Sequence, residues 1–219
     1  MTQRVKTGIS GLDKLLGGGF PQNKSILLTG TPGTGKTIFS LEYIYQGAKQ
    51  FGEKGLFISF EEDKKSLMAQ AKMFGWDFEE LEKEGLVEFI NIPVKEVRES
   101  TAFEIIEHVR KKGIKRLVVD SLSAMAINVP AKDITAIDHL FIKRFIYNFI
   151  TDLKDLPATA LLISQTEEGK LSRDGVAEFV SDGIILINYE SLGGQFSRHL
   201  TIRKMREADN DEDMHPMEI

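Results

Sequence analysis

The chain contains 219 residues and no cysteine, and its 28 basic and 33 acidic side chains give a net charge of −5. This balance argues against a protein that binds nucleic acid through its overall charge, and the lack of cysteine excludes disulfides and thiolate metal sites. No apolar run approaches the ~20 residues that span a membrane, and the N-terminus lacks the apolar core of a signal peptide. We therefore expect one cytoplasmic domain over residues 1–219, without a membrane partner.

Residues 1–23 form a glycine-rich leader. Leu12, Leu15 and Leu16 have the spacing of one short amphipathic turn, which the run Gly17–Gly19 would end. A flexible leader is the alternative, and the composition does not exclude it.

The next segment has the pattern of a strand, a glycine-rich loop and a helix. Residues 25–29 are apolar enough for a buried strand, and the following eight residues match G-x-x-x-x-G-K-T without substitution. Glycines let backbone N–H groups surround a phosphate, and the N-terminus of the helix faces the same anion. The residues expected to contact a nucleoside triphosphate are Gly30, Thr31, Pro32, Gly33, Thr34, Gly35, Lys36, Thr37 and Ile38.

Two side chains at the end of this loop have specific chemistry. Lys36 is expected to reach the β- and γ-phosphates, and the Thr37 hydroxyl to ligate Mg²⁺. A glycine-rich turn that matches by chance is the alternative, and the flanking strand and helix argue against it.

A second buried strand, residues 55–60, ends in Glu61, Glu62 and Asp63. Acidic residues at the carboxyl end of such a strand lie where ligands bind in open α/β sheets. Capping of the next helix is the alternative for Asp63, and both interpretations hold together because Glu61 and Glu62 precede the cap.

The pattern then predicts helices over residues 66–74, 78–84 and 102–112 and a strand over 87–92. In the third helix Phe103, Ile106 and Val109 form the expected buried stripe, and basic residues fill the last turn, as the helix dipole favours. Residues 116–120 read Arg-Leu-Val-Val-Asp, a strand that ends in an acidic residue. Downstream of the glycine-rich loop, Asp120 is expected to hold the Mg²⁺ shell, although a strand-end Asp is often only a cap.

The C-terminal half begins with a loop over residues 125–132 and a long helix over 134–156, which Asp133 would cap. Its apolar residues form two rows, which predict a broadly buried helix with some room for a subunit contact: Ile137, Phe141, Phe145 and Phe149 in one, and Ile142, Ile146 and Ile150 in the other.

A strand over residues 160–164 follows and ends at Gln165. Gln165 would face the γ-phosphate or serve as an ordinary strand-end residue, and the sequence does not decide between these two. A strand over 183–188, a turn at Gly193-Gly194 and an edge-like strand over 198–203 complete a hairpin, before an acidic, exposed tail over 207–219. Because strands alternate with helices, we expect an α/β fold with a mainly parallel sheet, helices on both faces and a C-terminal antiparallel hairpin.

The chain resembles single-domain KaiC-like proteins of the RecA superfamily of P-loop ATPases, over nearly its whole length. The specific similarities lie in the leader and in the triplet Phe60-Glu61-Glu62, while the glycine-rich loop is generic to P-loop proteins. The matching stretches are 7–13 with 18–21, 30–37, 59–62, 74–77, 116–121 and 175–182.

The resemblance implies a RecA-like core that binds ATP and Mg²⁺ and assembles into a homohexameric ring, with ATP between neighbouring subunits. In similar proteins the pair that matches Glu61 and Glu62 activates the attacking water. A segment that matches Lys204-Met205-Arg206 reaches the neighbour's nucleotide there, which would make Arg206 an arginine finger; a solvated basic strand end is the alternative. An unidentified protein partner is also possible.

Two departures limit what the resemblance carries. After Arg206 the family pattern gives Gly-Thr and then His, whereas residues 207–210 here are Glu-Ala-Asp-Asn, which leaves the adenine and ribose contacts undefined. Two-domain proteins of this kind carry autophosphorylation residues in their second domain, whereas one domain is expected here, so the resemblance does not imply a clock or autokinase role. The last residues, 217–219, also have the pattern of an unfinished strand. The alternative function is a DNA-binding recombination ATPase of the RadB or RecA type, but neither basic DNA loops nor a DNA-binding domain is evident in the sequence.

Overall fold

The structure, a computed structural model, describes residues 3–125, 136–166, 170–192 and 195–219. The strands in these ranges are β1 (Arg4–Val5), β2 (Phe20–Pro21), β3 (Ser25–Gly30), β4 (Gly55–Ser59), β5 (Val87–Asn91), β6 (Arg116–Asp120), β7 (Thr159–Gln165), β8 (Gly183–Leu192), β9 (Gln195–Met205) and β10 (Met214–Met217). The helices are α1 (Leu12–Leu15), α2 (Lys36–Phe51), α3 (Lys64–Met73), α4 (Phe78–Lys83), α5 (Thr101–Lys112), α6 (Leu122–Met125), α7 (Ala136–Leu153) and α8 (Ala177–Val180), with a 3-10 turn at Val94–Glu96.

The main sheet contains eight strands in the order β10-β9-β8-β3-β7-β6-β4-β5. From β8 to β5 neighbouring strands are parallel, while β9 and β10 are added antiparallel beside β8. The expected mainly parallel sheet with a C-terminal antiparallel region is therefore confirmed. Both faces of the parallel part are covered, which explains its nearly continuous apolar sequence.

Alternate residues of each parallel strand of the main sheet enter two separate cores. In β6, Leu117 and Val119 pack with α5 and α7 on one face, while Val118 packs with α2 on the other. The parallel register brings the carboxyl ends of four strands to one edge, where Gly30 pairs with Gln165 and Ser59 pairs with Asp120. This edge carries most of the side chains predicted for the site.

The leader is folded onto the body of the protein. Leu12 and Leu16 are buried, as the amphipathic pattern predicts. The Asp13 carboxylate accepts hydrogen bonds from the Thr7 backbone and hydroxyl, at 2.8 and 2.7 Å. From β6, the guanidinium of the fully buried Arg116 donates to the Thr7 carbonyl at 3.1 Å and also to the Lys6 carbonyl.

Two helix faces differ from the sequence expectation. Phe103 was expected in the buried stripe of α5, but its side chain is 66 % exposed and Ile105 takes the buried position. In α7, Phe141 is 42 % exposed while Phe149 is buried. In both helices the aromatic residue near the N-terminal end lies off the face that meets the sheet. The sequence shows that these residues are apolar, but it does not show which side of the helix packs against the sheet.

The C-terminal strands also differ from expectation. The strand expected over 198–203 is longer and is not an edge, because β10 pairs with it from Met214 opposite Thr201 to Met217 opposite Arg198. Part of the segment expected to be an exposed tail is therefore in the sheet. Short α6, which begins at Leu122, was not expected either.

Several expectations fall outside the described residues: most of the loop over 125–132, the Asp133 cap, the turn at Gly193-Gly194 and the side chain of Ile137. Among the described helices, none is long and apolar enough to cross a membrane.

Candidate nucleotide-binding site

The loop between β3 and α2 has a backbone that only glycine allows at two points. Gly30 has φ +152°, and a Cβ on it would lie 2.1 Å from the Ile187 carbonyl oxygen. Gly35 has φ +97°, and a Cβ there would lie 1.9 Å from the Ile219 side chain. The motif glycines are thus explained by close packing against β8 and the C-terminal residue as well as by φ.

Lys36, the first residue of α2, bends back onto this loop. Its Nζ donates to the carbonyl oxygens of Gly30 and Thr31, each at 2.8 Å. The Thr34 hydroxyl also donates to the Thr31 carbonyl, at 3.0 Å. Burial lowers the pKa of Lys36 to about 8, against the opposing effects of Asp120 and Glu61. The ammonium is therefore held beside the loop and remains charged at neutral pH.

The two residues predicted to hold Mg²⁺ touch each other. The Thr37 hydroxyl donates to Asp120 Oδ2 at 2.9 Å, which joins the start of α2 to the end of β6. Burial raises the pKa of Asp120 to about 6; the Thr37 bond opposes this shift, and Glu61 and Glu62 add to it. Adjacent carboxylate and hydroxyl oxygens suit Mg²⁺, which binds hard oxygen donors and keeps several of its waters. The donor set therefore fits this ion.

Glu61 and Glu62 are adjacent in sequence but make different contacts. Glu61 Oε1 accepts a hydrogen bond from the Ser121 hydroxyl at 2.9 Å, and Oε2 accepts one from Gln165 Nε2 at 3.2 Å. The Glu62 carboxylate instead accepts from Ser66 at 2.9 Å and from Gln70, both on α3. Glu61 thus belongs to the network at the strand ends, and Glu62 is held toward α3.

The helix that follows this pair is capped as expected. Asp63 Oδ1 accepts a hydrogen bond from the Ser66 backbone N–H at 2.8 Å, at the first turn of α3. Because the cap begins after Glu62, capping and site formation use different residues of the same acidic run.

The sequence and the fold of this chain both match known proteins. The KaiC ATPase family matches residues 5–219 of this chain. The chain belongs to the KaiC family of ATPases. A UPF0273 protein of Aeropyrum pernix is 34 % identical over all of this chain and 91 % of its own length, and one of Thermotoga maritima is 33 % identical over all of this chain and 93 % of its own.

Two further relatives carry the KaiC name. The circadian clock oscillator protein KaiC of Picosynechococcus is 31 % identical over 99 % of this chain, which spans only 43 % of that longer protein. The crystal structure of a KaiC-like protein from the archaeon Pyrococcus horikoshii superimposes with a TM-score of 0.89 at 36 % identity, over 100 % of this chain and 96 % of that one. The single-domain KaiC-like assignment made from the sequence is confirmed.

In this KaiC-family chain the segment Lys204–Arg206 lies at the opposite end of the sheet from the glycine-rich loop. Met205 pairs with Gly183, and Gly183 pairs with Ile26 near the start of β3. The four residue steps from Ile26 to Gly30 span about 13 Å of extended chain. A single subunit therefore does not bring Lys204 and Arg206 to its own loop.

Both basic side chains of this segment have partners within the subunit. Lys204 Nζ donates to the carbonyls of Glu178, Phe179 and Ser181, at 3.0, 3.3 and 2.6 Å, around the end of α8. Arg206 Nη1 lies 3.3 Å from Asp182 Oδ1. Burial, and then the nearby Arg206 charge, lower the pKa of Lys204.

Two contacts at the site had no role in the sequence reasoning. Ser121, which holds Glu61, directly follows the strand-end Asp120 and could have been found there. Tyr189 donates its hydroxyl to the Gly33 carbonyl at 3.1 Å. Because 156 residues separate these two, no local pattern predicts that contact.

Proposed function

We propose that this single-domain KaiC-family protein is a Mg²⁺-dependent ATPase that works in a homo-oligomeric ring, with each nucleotide between two subunits. ATP turnover at the interface would change assembly or the affinity for a protein partner. One observation carries the proposal: beside the glycine-rich loop, hydrogen bonds link Thr37 to Asp120 and join Ser121 and Gln165 to Glu61. A cytoplasmic location stays a prediction from the sequence.

The loop supplies binding and orientation of the triphosphate. Backbone N–H groups of the loop over residues 30–37, except at Pro32, and the start of α2 surround the phosphates. The Lys36 ammonium exchanges its two loop carbonyls for β- and γ-phosphate oxygens. Thr37 and Asp120 would hold Mg²⁺, which when bound neutralises charge on the phosphates.

Glu61 is the group placed to activate water. Its carboxylate accepts one hydrogen bond on each oxygen, from Ser121 and Gln165, and retains lone pairs for a water O–H. As that water attacks the γ-phosphorus and the bond to the β-phosphate oxygen breaks, Glu61 accepts the water proton, giving ADP and phosphate. Glu62 is held toward α3 by Ser66 and Gln70 and takes no proton in this step.

Arg206 is the cation proposed to act on the neighbouring subunit's nucleotide. The side chain is half exposed at the sheet end remote from its own loop. A cation brought to the γ-phosphate from a neighbour stabilises the transition state, an effect worth about 10³–10⁵ in rate in other P-loop proteins. We assign Lys204 the separate task of holding α8, which lies beside Arg206.

Phosphate release, measured with ATP and Mg²⁺ and then with EDTA, tests the activity. Glu61→Gln should abolish turnover while ATP still binds, and Glu62→Gln should reduce it less. The double variant should not turn over at all. A double variant that hydrolyses ATP at the normal rate would rule out the proposed role of these carboxylates in activating water.

The size of the particle tests the ring and separates it from the recombinase alternative. Light scattering with and without ATP should show a nucleotide-stabilised oligomer whose size and turnover do not respond to DNA. A monomer at all protein and ATP concentrations contradicts the ring. Assembly or turnover that requires DNA favours the recombinase alternative.

A further inference from the structure

A large groove opens beside Lys204, away from the subunit's own nucleotide site. Its volume is about 1070 Å³. It lies between α7, the segment over 170–175, α8 and the end of β9. Among the residues that the structure describes, five basic ones line it, against two acidic ones: Lys143, Lys170, Arg173, Arg203 and Lys204, with Asp174 and Glu178.

Three of these cations have no acidic partner. Among the described residues, no carboxylate lies within ion-pair distance of Lys143, Arg173 or Arg203, and all three side chains are exposed. Each of the two described acidic residues of the groove already accepts hydrogen bonds within the subunit. Asp174 Oδ1 accepts from the backbone of Val176 and Ala177, and Glu178 accepts from the Ser172 hydroxyl.

The nucleotide site has the opposite imbalance. Glu61, Glu62 and Lys36 are the charged groups that act on Asp120, so three carboxylates face one ammonium. A bound triphosphate adds further negative charge, and Mg²⁺ cancels only part of it. A buried or interfacial excess of one sign is unfavourable unless opposite charge is brought to it.

We propose that the groove of one subunit receives the nucleotide phosphates of the next copy of this chain, to which Lys143, Arg173 and Arg203 supply cations. This inference rests on the proposed ring and adds residues to its interface. Arg206 remains the finger, but Asp182 offsets part of its charge and three carbonyls occupy Lys204. Lys143, Arg173 and Arg203, which pair with no carboxylate among the described residues, are therefore the positive charge most readily available to a neighbour.

The position of the groove favours a second copy as its occupant. Ile184 and Lys204 in its wall pair with each other near the start of β3, while the phosphate loop lies at the other end of that strand. An interface that joins these two different ends is head-to-tail, the type of contact that forms a ring when the rotation between subunits closes. Charge complementarity between the groove and the acidic site supports the same pairing.

A triple variant tests the proposal: Lys143→Ala, Arg173→Ala and Arg203→Ala. The matched control is Lys83→Ala, Lys95→Ala and Lys111→Ala. These three lysines are exposed and lie outside the groove, and replacing them removes the same number of positive charges. Two readouts are used: affinity of the assembled oligomer for a fluorescent, slowly hydrolysed ATP analogue, and kcat/KM for ATP.

The groove variant should lose about tenfold or more in both quantities, while the control stays near the wild type. Mixing the groove variant with Lys36→Ala subunits should restore turnover, because an intact loop then meets an intact groove at roughly a quarter of the interfaces in a random one-to-one ring. Native mass spectrometry establishes that the rings are mixed.

Wild-type affinity and turnover in the groove variant, or no rescue in mixed rings, overturn the inference while leaving the ATPase proposal intact. A second outcome also overturns the inference in favour of another occupant. In that outcome the groove variant loses binding of a labelled single-stranded DNA or a polyglutamate peptide while its affinity for nucleotide stays at the wild-type value. If the wild type binds ATP without hydrolysing it, the proposed ATPase function fails. The inference is then still supported if the groove variant, but not the control variant, loses affinity for the ATP analogue.

Discussion

Gln165 and Glu61 meet across two strand ends, with Nε2 of the amide 3.2 Å from Oε2 of the carboxylate, although 104 residues separate them. Gln165 ends β7 beside Gly30 of the phosphate loop. The contact therefore links the proposed base to the strand beside the glycine-rich loop, and it places Gln165 within the candidate site.

Removing this contact should slow turnover more than it weakens binding. In Gln165→Ala, Glu61 keeps only the Ser121 bond, so its orientation toward the attacking water becomes less defined and kcat should fall by about tenfold or more. The affinity for ATP should change little. Gln70→Ala is the matched control, because Gln70 donates its amide to Glu62 instead. Equal kcat values for the two variants would contradict the assigned division between Glu61 and Glu62.

Loss of the loop ammonium should abolish tight ATP binding. Lys36→Ala removes the cation that contacts both loop carbonyls and would contact the phosphates. Lys49→Ala, on the exposed side of the same helix, is the control. Isothermal titration should show heat of binding for the control and none for Lys36→Ala. Unchanged affinity in Lys36→Ala would refute the assignment of the loop.

The ionised Asp120 carboxylate should lower the free energy of unfolding at neutral pH. The pKa of Asp120 is about 6 in the folded protein against an ordinary value of 3.8, so between these values the folded state holds the extra proton. The Asp120 contribution to stability is therefore most favourable below about pH 4 and becomes less favourable as pH rises through 6.

Asp120→Asn removes this ionisation and keeps an oxygen for the Thr37 hydroxyl. Without Mg²⁺, the variant should exceed the wild type at pH 7 by on the order of 1–3 kcal/mol in free energy of unfolding, with the difference shrinking toward pH 4. It should also lose Mg²⁺-dependent turnover. Thermal unfolding in EDTA across this pH range measures the effect, and a variant less stable than the wild type at pH 7 contradicts the assigned cause.

The sequence predicted the parts of the site whose signals are local. The loop glycines, Lys36, Thr37 and the strand-end acids occupy neighbouring positions in short motifs, and the parallel register then brings them to one edge. Contacts that join distant segments, such as Tyr189 with Gly33 or Ile219 with Gly35, have no local signal.

The sequence predicted those parts of the fold in which the spacing of apolar residues directly indicates which residues are buried. The alternation of strands and helices gave the parallel sheet, but the phase of an amphipathic helix depends on which neighbour it meets. Phe103 is apolar and correctly spaced, yet it faces solvent because α5 presents Ile105 to the core. The sequence pattern did not predict the extra strand β10 for a related reason. Its residues are exposed or half-buried and partly polar, and they are held by pairing with β9 and not by burial.

The last prediction separates Lys204 from Arg206, which share one segment but differ in surroundings. Lys204→Met keeps the aliphatic stem and removes three hydrogen bonds to the end of α8, so the free energy of unfolding should fall by about 1–3 kcal/mol, a few degrees in Tm. Arg206→Met should leave Tm nearly unchanged, because Asp182 still accepts from the Ser25 backbone and hydroxyl at 3.2 Å. Its kcat should drop steeply, and mixing it with Lys36→Ala subunits should restore turnover. If Lys204→Met instead keeps the wild-type Tm and loses kcat as Arg206→Met does, Lys204 acts on the neighbour's nucleotide and not on α8.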